Sequence, residues 1–449
     1  MKKRILSILL TTIMLVPTLT GCGNNTTATT ATKTEAKVLK IAAFEGGYGK
    51  VYWEKLKDNF EKSHEGVTVE LTVASNIAEV IRPQIQSGNV PDLIYLATGA
   101  KEALTETFIK DQALSDLSGV LSKKVPGENV TVKEKILPGF LDTAATNPYG
   151  DGKTYLAPLF YSPTGLFYDK HLFEQKGYKV PKTWDEMFAL GDKAKVDGIS
   201  LFSYATTGYF DCVMPTLLAS NGGMETVNNA FNYKEGFWKT TEAKTALDTV
   251  AKMKNYLEPS VVANANKQGF TKNQQLILDD KALFIPNGNW LPDEMKDAPR
   301  ANGFEWGFMP YPTFKDGGKQ YSVSFLEQMY IPKDAANKDL AGDFMAYMYS
   351  DEAVAIIAEN AKGVVPVTGS AKIAEKYLTP LQTDLFKIYD NGALPIMGGF
   401  AATTPVEGVN WTDVYLGTID SVMTGTKSVD DWQKSLDETS TKLKAAIIK

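Results

Sequence analysis

The chain has 449 residues, of which 43% are hydrophobic and 22% are charged, with a formal net charge of −6. This composition is typical of a folded globular protein, and the length exceeds what one hydrophobic core usually organises, so we expect two lobes. The negative charge and the lack of a basic cluster argue against a role in binding nucleic acid.

The N-terminal residues predict an export signal. Basic residues at positions 2–4 precede the largely apolar run 5–16, which is too short to span a bilayer as a permanent helix. The run leads to Leu19-Thr20-Gly21-Cys22. This resembles the bacterial lipobox, in which the signal is cleaved before the cysteine and the thiol takes a diacylglyceryl group. We therefore predict a lipoprotein signal peptide over 1–21 and lipidation at Cys22; the alternatives are an ordinary signal peptide or an uncleaved anchor.

Residues 22–36 are predicted to form a flexible tether, because positions 24–34 are rich in Asn, Thr and Ala and contain no large apolar side chain. Only two cysteines occur in the sequence. If Cys22 is lipidated, no intramolecular disulfide forms, and Cys212 lies in an apolar stretch that favours a buried, inert thiol.

The folded part alternates short apolar runs with amphipathic stretches, which favours α/β lobes with largely parallel sheets. Thr183 and Glu186 have capping-box spacing at a helix start. Strand-like pieces at 154–159 and 165–168 are separated by 162–164, a plausible crossing between lobes. The other predicted strands are 38–44, 67–73 and 90–96, and the predicted helices are 52–62, 76–87 (kinked or interrupted at Pro83), 241–255, 340–349 and 429–448.

Two adjacent segments carry a family resemblance. Residues 164–177, which include Tyr168-Asp169-Lys170, are followed by Pro181-Lys182-Thr183-Trp184-Asp185-Glu186. Together they resemble solute-binding protein family 1, the extracellular carbohydrate-binding proteins of ABC transporters. Segments 89–94, 281–290, 411–413 and 429–432 fall in the order that the family demands. Residues 284–295 and 236–239 are most similar to the branch that binds N-acetylglucosamine and its short oligomers.

The resemblance implies a two-lobe, periplasmic-binding-protein-like α/β fold with a ligand cleft between the lobes. It implies an N-terminal lobe of 37–160 and 322–385 and a C-terminal lobe of 161–321 and 386–449. The implied role is capture of a sugar by lobe closure at the outer face of the cell membrane, for transfer to the permease subunits of an ABC importer. The expected form is a lipid-anchored monomer without a cofactor.

A sugar presents apolar faces and a rim of hydroxyl groups, so its pocket needs aromatic platforms beside amides or carboxylates. The sequence places such residues at predicted loops and strand ends, several at positions that the resemblance marks as ligand-facing. The candidates are Glu45, Tyr48, Thr98, Tyr209, Asp211, Asn287, Asn289, Trp290, Glu327, Phe400 and Trp411.

Several candidates have alternative interpretations. Trp290 at a helix start could pack in the core, as tryptophan usually does. The glycines between Glu45 and Tyr48 also fit simple turn formation, and Glu327 could form a salt bridge at a hinge. We expect Phe210 to be core and Asp92 to cap local structure.

The chemistry-bearing motifs of most enzyme classes are missing from the sequence. It has two histidines and no H-E-x-x-H, no Gly-x-Ser-x-Gly, no phosphate-binding Gly-x-x-x-x-Gly-Lys and no calcium-loop spacing. We therefore predict a binding protein without a metal. The alternative is a lipid-anchored glycoside hydrolase, which needs two suitably spaced carboxylates; a receptor for a signalling partner is a third option.

Overall fold

The computed structural model describes residues 37–206 and 209–448. The predicted signal peptide, the predicted tether and Cys22 lie outside these ranges. Within them the chain forms a mixed α/β structure, which confirms the predicted fold class. The strands are β1 Lys37–Phe44, β2 Val67–Ala74, β3 Leu93–Tyr95, β4 Ala157–Asp169, β5 Ser200–Phe202, β6 Ala282–Gly288, β7 Trp306–Met309, β8 Tyr321–Tyr330 and β9 Leu394–Ile396.

The helices surround these strands and include a short π-helical segment at Asp413–Gly417. The α-helices are α1 Val51–Ser63, α2 Ile77–Gln86, α3 Leu104–Lys110, α4 Ser118–Leu121, α5 Val132–Lys135, α6 Lys170–Lys176, α7 Trp184–Val196, α8 Val213–Phe231, α9 Thr241–Met253, α10 Val261–Asn264, α11 Phe270–Leu278, α12 Leu291–Glu294, α13 Lys338–Met348, α14 Asp351–Ala361, α15 Ser370–Ala374, α16 Pro380–Phe386, α17 Thr418–Thr424 and α18 Val429–Ala445.

The strand order is β2-β1-β3-β8-β4-β6-β5, with β7 paired to β4 and β9 paired to β8. Strand β1 is parallel to β2 and β3, and β5 is parallel to β6. The middle of the sheet is antiparallel, because β8 runs opposite to both β3 and β4 and β4 runs opposite to β6. The prediction of largely parallel sheets is therefore wrong for the central strands.

Strand β4 is one continuous strand, not the two pieces predicted on either side of 162–164. Its first half pairs with β8 and its second half with β6 and β7. Pro163 has no backbone N–H, but side chains bridge the strands beside it. The Thr164 hydroxyl donates to Val323 O at 2.9 Å and the Ser322 hydroxyl donates to Thr164 O at 2.6 Å. These bonds keep β4 and β8 together through the proline.

Local sequence signals explain several element boundaries. Helix α7 begins with the predicted capping box: Thr183 Oγ1 accepts from Glu186 N at 3.2 Å, and the Glu186 carboxylate accepts from Thr183 N at 3.3 Å. The predicted helices 241–255, 340–349 and 429–448 are confirmed as α9, α13 and α18 with small shifts at their ends. Helix α2 continues through Pro83 without interruption.

Asp92 has the structural role predicted for it. It is fully buried, and its two carboxylate oxygens accept from Lys40 N at 2.9 Å and Asn337 N at 2.7 Å. These bonds hold the start of β3 against β1 and the start of α13. The strand itself is shorter than the predicted 90–96. Asp92 therefore joins three elements and is sealed away from any ligand.

The core contains Phe210 and Cys212, both predicted to be buried. Cys212 is 2% exposed and burial raises the pKa of its thiol, so it is an inert core residue. Among the described helices, none combines the length and apolar character that a membrane crossing requires. The two residue sets assigned to the lobes, 37–160 with 322–385 and 161–321 with 386–449, stay a prediction.

Candidate functional site

Strand β8 carries a row of side chains on one face. Val323, Phe325 and Glu327 alternate along the strand, so they point to the same side, about 7 Å apart in succession. Phe325 is 48% exposed, which is unusual for a large apolar residue in a paired strand. Val323 and Phe325 line one cavity and Glu327 lines another. The candidate site is built around this row.

The first cavity, here called the Glu327 cavity, has a volume of about 420 Å³ and opens beside the ends of β1 and β3. Its walls include Phe44, Leu96, Thr98, Gly99 and Glu327. Glu327 accepts a hydrogen bond from the Tyr95 hydroxyl, and burial raises the pKa of its carboxyl. Glu327 thus bonds to a tyrosine, which differs from the salt bridge considered as an alternative.

Two predicted residues sit in the loops around the Glu327 cavity. Thr98 is exposed, and Gln328 holds it: Thr98 N donates to Gln328 Oε1 at 3.3 Å and Gln328 Nε2 donates to Thr98 Oγ1 at 3.4 Å. Tyr48 stacks on Phe160 with ring centroids 4.1 Å apart. Its pKa is raised by burial and by the charge of Glu327. Thr98 therefore lines the same cavity as Glu327. Tyr48 lies close enough to Glu327 for its pKa to respond to the Glu327 charge.

Glu45 follows β1 directly and is half-buried. Its backbone N–H donates to Ala74 O at 3.0 Å, which extends the β1–β2 pairing by one residue. This bond fixes the start of the loop that leads to Tyr48. The side chain of Glu45 lies outside the walls of the Glu327 cavity.

Trp290 follows the end of β6 and folds back over it. A Cβ atom at Gly288 would lie 2.2 Å from the Trp290 ring, so only glycine allows the indole to lie against the strand. The ring meets Phe325 edge-on at 5.5 Å between centroids and lies 6.2 Å from the ring of Tyr209. Trp290 is half-buried, and it joins the predicted Tyr209 to the exposed Phe325 of β8.

Hydrogen bonds to Glu294 fix Tyr209. The Tyr209 hydroxyl donates to Glu294 Oε1 at 3.2 Å, and Gln274 Nε2 donates to Glu294 Oε2 at 2.7 Å. Burial and the Glu294 charge raise the pKa of Tyr209 to about 12. Tyr209 also stacks on Phe270 at 5.9 Å. The ring beside Trp290 is therefore held from two sides.

The second cavity, here called the Trp411 cavity, has a volume of about 220 Å³. Three of the predicted site residues line it: Asp211, Phe400 and Trp411. Trp411 stacks on Tyr415 at 5.6 Å with an interplanar angle of 13°, and Phe400 packs against its edge at 4.8 Å. Phe325 closes the wall on the side of β8.

The two asparagines beside Trp290 differ in their exposure. Asn287 is 1% exposed and its Oδ1 accepts from Gly288 N at 2.8 Å, so it supports the end of β6 from inside. Its Nδ2 atom is buried without a hydrogen-bond partner among the described residues. Asn289 is half-buried in the turn before α12. Of the pair, Asn289 is the one that a ligand in solvent can reach.

The structure thus gathers the candidates into two groups along β8. The first group contains Thr98, Tyr48 and Glu327. The second group includes Asp211, Trp290 and Trp411. Sequence reasoning missed Phe325 and Tyr415. Phe325 stands two residues before Glu327 in a strand, and Tyr415 stands four residues after Trp411 in a helical segment, so both spacings place them on the faces of predicted residues. The remaining members of the second group are Tyr209 and Phe400.

Within residues 37–206 and 209–448, no three His, Cys, Asp or Glu side chains come together as a metal site. The groups along β8 are aromatic rings, a few carboxylates and an amide. Such a surface suits recognition by stacking and hydrogen bonding.

Comparison with known proteins places this arrangement in context. The diacetylchitobiose-binding protein of Streptomyces coelicolor is 26% identical over 368 residues, covering 78% of this chain and 76% of the relative. The multiple sugar-binding protein of Streptococcus mutans is 26% identical over 274 residues, covering 59% of this chain and 60% of the relative.

Solved structures show the same fold. The bacterial solute receptor AcbH, described as having an exclusive preference for β-D-galactopyranose, aligns with a TM-score of 0.68 at 16% identity, covering 91% of this chain and 100% of its own. The sugar-binding protein MalE of Xanthomonas citri aligns with a TM-score of 0.66 at 18% identity, covering 91% and 98%. Both confirm the expected two-lobe α/β fold.

The family comparison covers most of the chain. Residues 55–380 match the model of the bacterial extracellular solute-binding proteins, which agrees with the resemblance seen in the sequence. Because this match spans well over half of the 449 residues, the chain belongs to the family of bacterial extracellular solute-binding proteins.

Proposed function

We propose that this protein is the sugar-binding receptor of an ABC importer and that it binds its ligand along the exposed face of β8. The observation that carries this proposal is the exposure of Phe325 between Trp290 and the Trp411 cavity, two residues from the carboxyl of Glu327. Flat rings cover the apolar faces of a sugar, and carboxylates and amides pair with its hydroxyl groups. The receptor closes its two lobes around the ligand and makes or breaks no bond.

The ligand that we propose is N-acetylglucosamine or one of its short oligomers. Support comes from the similarity to a protein named as a diacetylchitobiose-binding protein, which extends over 78% of this chain. The candidate residues stand in two groups along one strand, which offers room for more than one sugar ring. Membership of the extracellular solute-binding family supports the proposal that the sugar is passed to permease subunits for uptake.

Isothermal titration calorimetry of residues 37–449 tests the proposal. The panel contains N-acetylglucosamine, diacetylchitobiose, maltose, xylobiose and galactose, and we expect diacetylchitobiose to bind best. Each sugar is recovered and chromatographed after a day with the protein. We expect intact sugar, whereas shortened products would favour the glycoside hydrolase. Absence of binding to every sugar in the panel would contradict the proposed function.

We also propose that Cys22 carries the lipid that holds the receptor at the outer face of the cell membrane. The support is the lipobox-like Leu19-Thr20-Gly21-Cys22 after a basic and apolar leader. In a bacterial host fed an alkyne-tagged palmitate, wild type should label and Cys22→Ala should not. Cys212→Ala is the matched control, because Cys212 is buried in the fold and should leave labelling unchanged. Equal labelling of the Cys22 variant would rule out this anchor.

A further inference from the structure

The Trp411 cavity is large enough for part of a sugar. Its volume is about 220 Å³, and cavities of about 150 Å³ already admit a benzene ring. It lies between β8, the start of α8, the loop at Gly398 and Gly399, and the π-helical segment Asp413–Gly417. Short π-helical segments are rare and are frequent at functional sites.

Two buried polar atoms of the cavity residues have no hydrogen-bond partner among the described residues. They are Nε1 of Trp411 and the hydroxyl oxygen of Tyr415. Tyr415 itself is only 5% exposed. Buried polar groups are nearly always paired in folded proteins, since an unpaired one has lost its water without compensation. Two such groups on stacked neighbouring rings beside one cavity are candidate hydrogen-bond partners for a ligand.

Asp211 lies on the same cavity wall. The pKa of Tyr415 is raised well above its usual range by burial and then by the charges of Asp211 and Cys212, which also line the cavity. Tyr415, Trp411 and Asp211 thus belong to the lining of one cavity. An indole N–H only donates hydrogen bonds, a phenol hydroxyl donates readily, and a carboxylate accepts several at once.

Most of the other side chains in the wall are apolar, and Thr412 is the polar exception. The apolar part is formed by Pro215, Phe231, Val323, Phe325, Phe400 and Leu416. A matching ligand group therefore has an acceptor for Trp411 and Tyr415, a donor for Asp211, and an apolar end for the remaining wall. An acetamido group has all three: its carbonyl oxygen accepts, its N–H donates, and its methyl group is apolar. A ring hydroxyl in the same place has no methyl group to fill the apolar part.

We propose that the Trp411 cavity binds the acetamido group of an N-acetylated sugar, with Tyr415 and Trp411 donating to its carbonyl oxygen and Asp211 accepting from its N–H. This inference rests on the proposed function, because it assumes that a sugar binds along β8. It assigns the choice between acetylated and plain sugars to Tyr415, a residue that lies below the platform formed by Trp411.

Diacetylchitobiose and cellobiose are the matched ligands for the test. Both are β-1,4-linked disaccharides of glucose-type rings, and they differ in having acetamido or hydroxyl groups at position 2. Calorimetry on the wild type should show at least about tenfold tighter binding of diacetylchitobiose, because a site built for hydrogen bonds discriminates against a ligand that leaves its groups unpaired. Equal affinities for the two sugars would overturn the inference.

The matched variants are Tyr415→Phe and Tyr347→Phe. Each removes one buried hydroxyl that has no partner among the described residues, and Tyr347 on α13 is outside the Trp411 cavity. Tyr415→Phe should weaken diacetylchitobiose binding about 3- to 10-fold, the loss of one hydrogen bond, and leave cellobiose affinity and the melting temperature unchanged. Tyr347→Phe should change neither affinity.

The outcomes separate the inference from the proposed function. If the protein binds cellobiose or maltose as tightly as diacetylchitobiose, it is a sugar receptor and the Trp411 cavity is no acetamido site. Unchanged diacetylchitobiose affinity in Tyr415→Phe also overturns the inference. If no sugar of either series binds, the proposed function fails with it.

Discussion

At the scale of single residues, Trp290 and Trp411 share a place in the candidate site but differ in their packing. Trp411 contacts the rings of Phe400, Tyr415 and Tyr233 at 4.8, 5.6 and 5.3 Å. Trp290 lies 5.5 Å from one neighbouring ring and 6.2 Å from another. Trp411→Ala leaves a cavity inside an aromatic cluster and should lower the free energy of unfolding by about 3 kcal/mol. Trp290→Ala should lower it by only about 1–2 kcal/mol.

Both tryptophan variants should lose sugar affinity, so thermal unfolding and calorimetry are measured on the same samples. A Trp290 variant that melts far below wild type but binds sugar normally would identify Trp290 as a core residue. Removing a ring that only stacks on the sugar lowers mainly the sugar affinity, whereas removing a core ring lowers mainly the stability. Measuring both quantities therefore distinguishes the two roles.

A carboxyl pair away from the site should make stability depend on pH. Asp169 Oδ1 accepts from His171 N and Glu305 N, both at 2.9 Å, and caps α6. Oδ2 of Asp169 and Oδ1 of Asp280 are buried without a partner among the described residues. Burial, and next the charge of Asp169, raise the pKa of Asp280 to about 6, while His171 opposes the shift and Asp279 adds to it. The Asp280 carboxyl therefore keeps a proton at a pH where an ordinary aspartate has lost it.

The direction in which stability changes with pH follows from proton binding. The folded state holds this proton up to about pH 6, whereas an unfolded aspartate releases it near pH 3.9. Stability should therefore fall as the pH rises from about 4 through about 6 and lose nothing more from this pair above that. Asp169→Asn keeps both accepted bonds and can donate to Asp280, so its melting temperature should lie above wild type at pH 7.5 and the slope should flatten. Asp279→Asn is the control and should change the slope much less, because its charge makes the smallest contribution to the raised pKa of Asp280.

The residues predicted from sequence were those with an obvious local signal. Trp290 stands two residues after Gly288 at a predicted strand end, and Glu327 lies near a predicted crossing between the lobes. Phe325 and Tyr415 gave no such signal, because their exposure and their unpaired groups depend on neighbours far away in the chain. Asn287 looked suitable by type and position, yet the pleat of β6 turns it inward.

At the scale of elements, helix α7 shows how much one local signal contributes. Thr183 closes a reciprocal capping box with Glu186. Thr183→Ala removes one accepted bond at the helix start and should lower the free energy of unfolding by about 1 kcal/mol. Thr245→Ala in the middle of α9 is the control, because its hydroxyl only bonds back to Thr241 O and alanine is the better helix former. Equal losses in both variants would contradict the cap's role.

Capping and amphipathic periodicity are local, so the helices that were predicted lie within a few residues of α1, α2, α9, α13 and α18. The error at β4 has the opposite origin. Pro163 suggested a break because proline cannot donate to a neighbouring strand. The strand continues because Ser322 and Thr164 bond across 158 residues of sequence. A partner at that separation leaves no local signal, so the sequence alone could not predict it.

At the scale of the whole molecule, the same long-range pairing decides the sheet. Alternating strands and helices correctly indicated an α/β fold. The antiparallel centre arises because β4 and β8 are long strands that run side by side in opposite directions, and β4 changes partners from β8 to β6 and β7 along its length. Such a pair of strands is what a chain needs to pass between two lobes.

Closure around the ligand is the prediction that depends on the molecule as a whole. The proposed contacts lie in two groups, Glu327 with Thr98 at one cavity and Trp290 with Trp411 near the other. A ligand that bonds to groups on both lobes stabilises the form in which they are close, because only that form makes all the contacts. Small-angle scattering of residues 37–449 should therefore show a smaller radius of gyration with saturating diacetylchitobiose.

Trp290→Ala is the control for closure, since at the same sugar concentration it should bind little ligand and keep the radius of the free protein. The degree of saturation is measured by calorimetry on the scattering samples. A saturated wild type whose scattering profile matches the free protein would show that the sugar binds without moving the lobes. In that case the residue groups on β8 would act as one rigid surface, and the lobe boundaries predicted at 160, 321 and 385 would have no mechanical meaning.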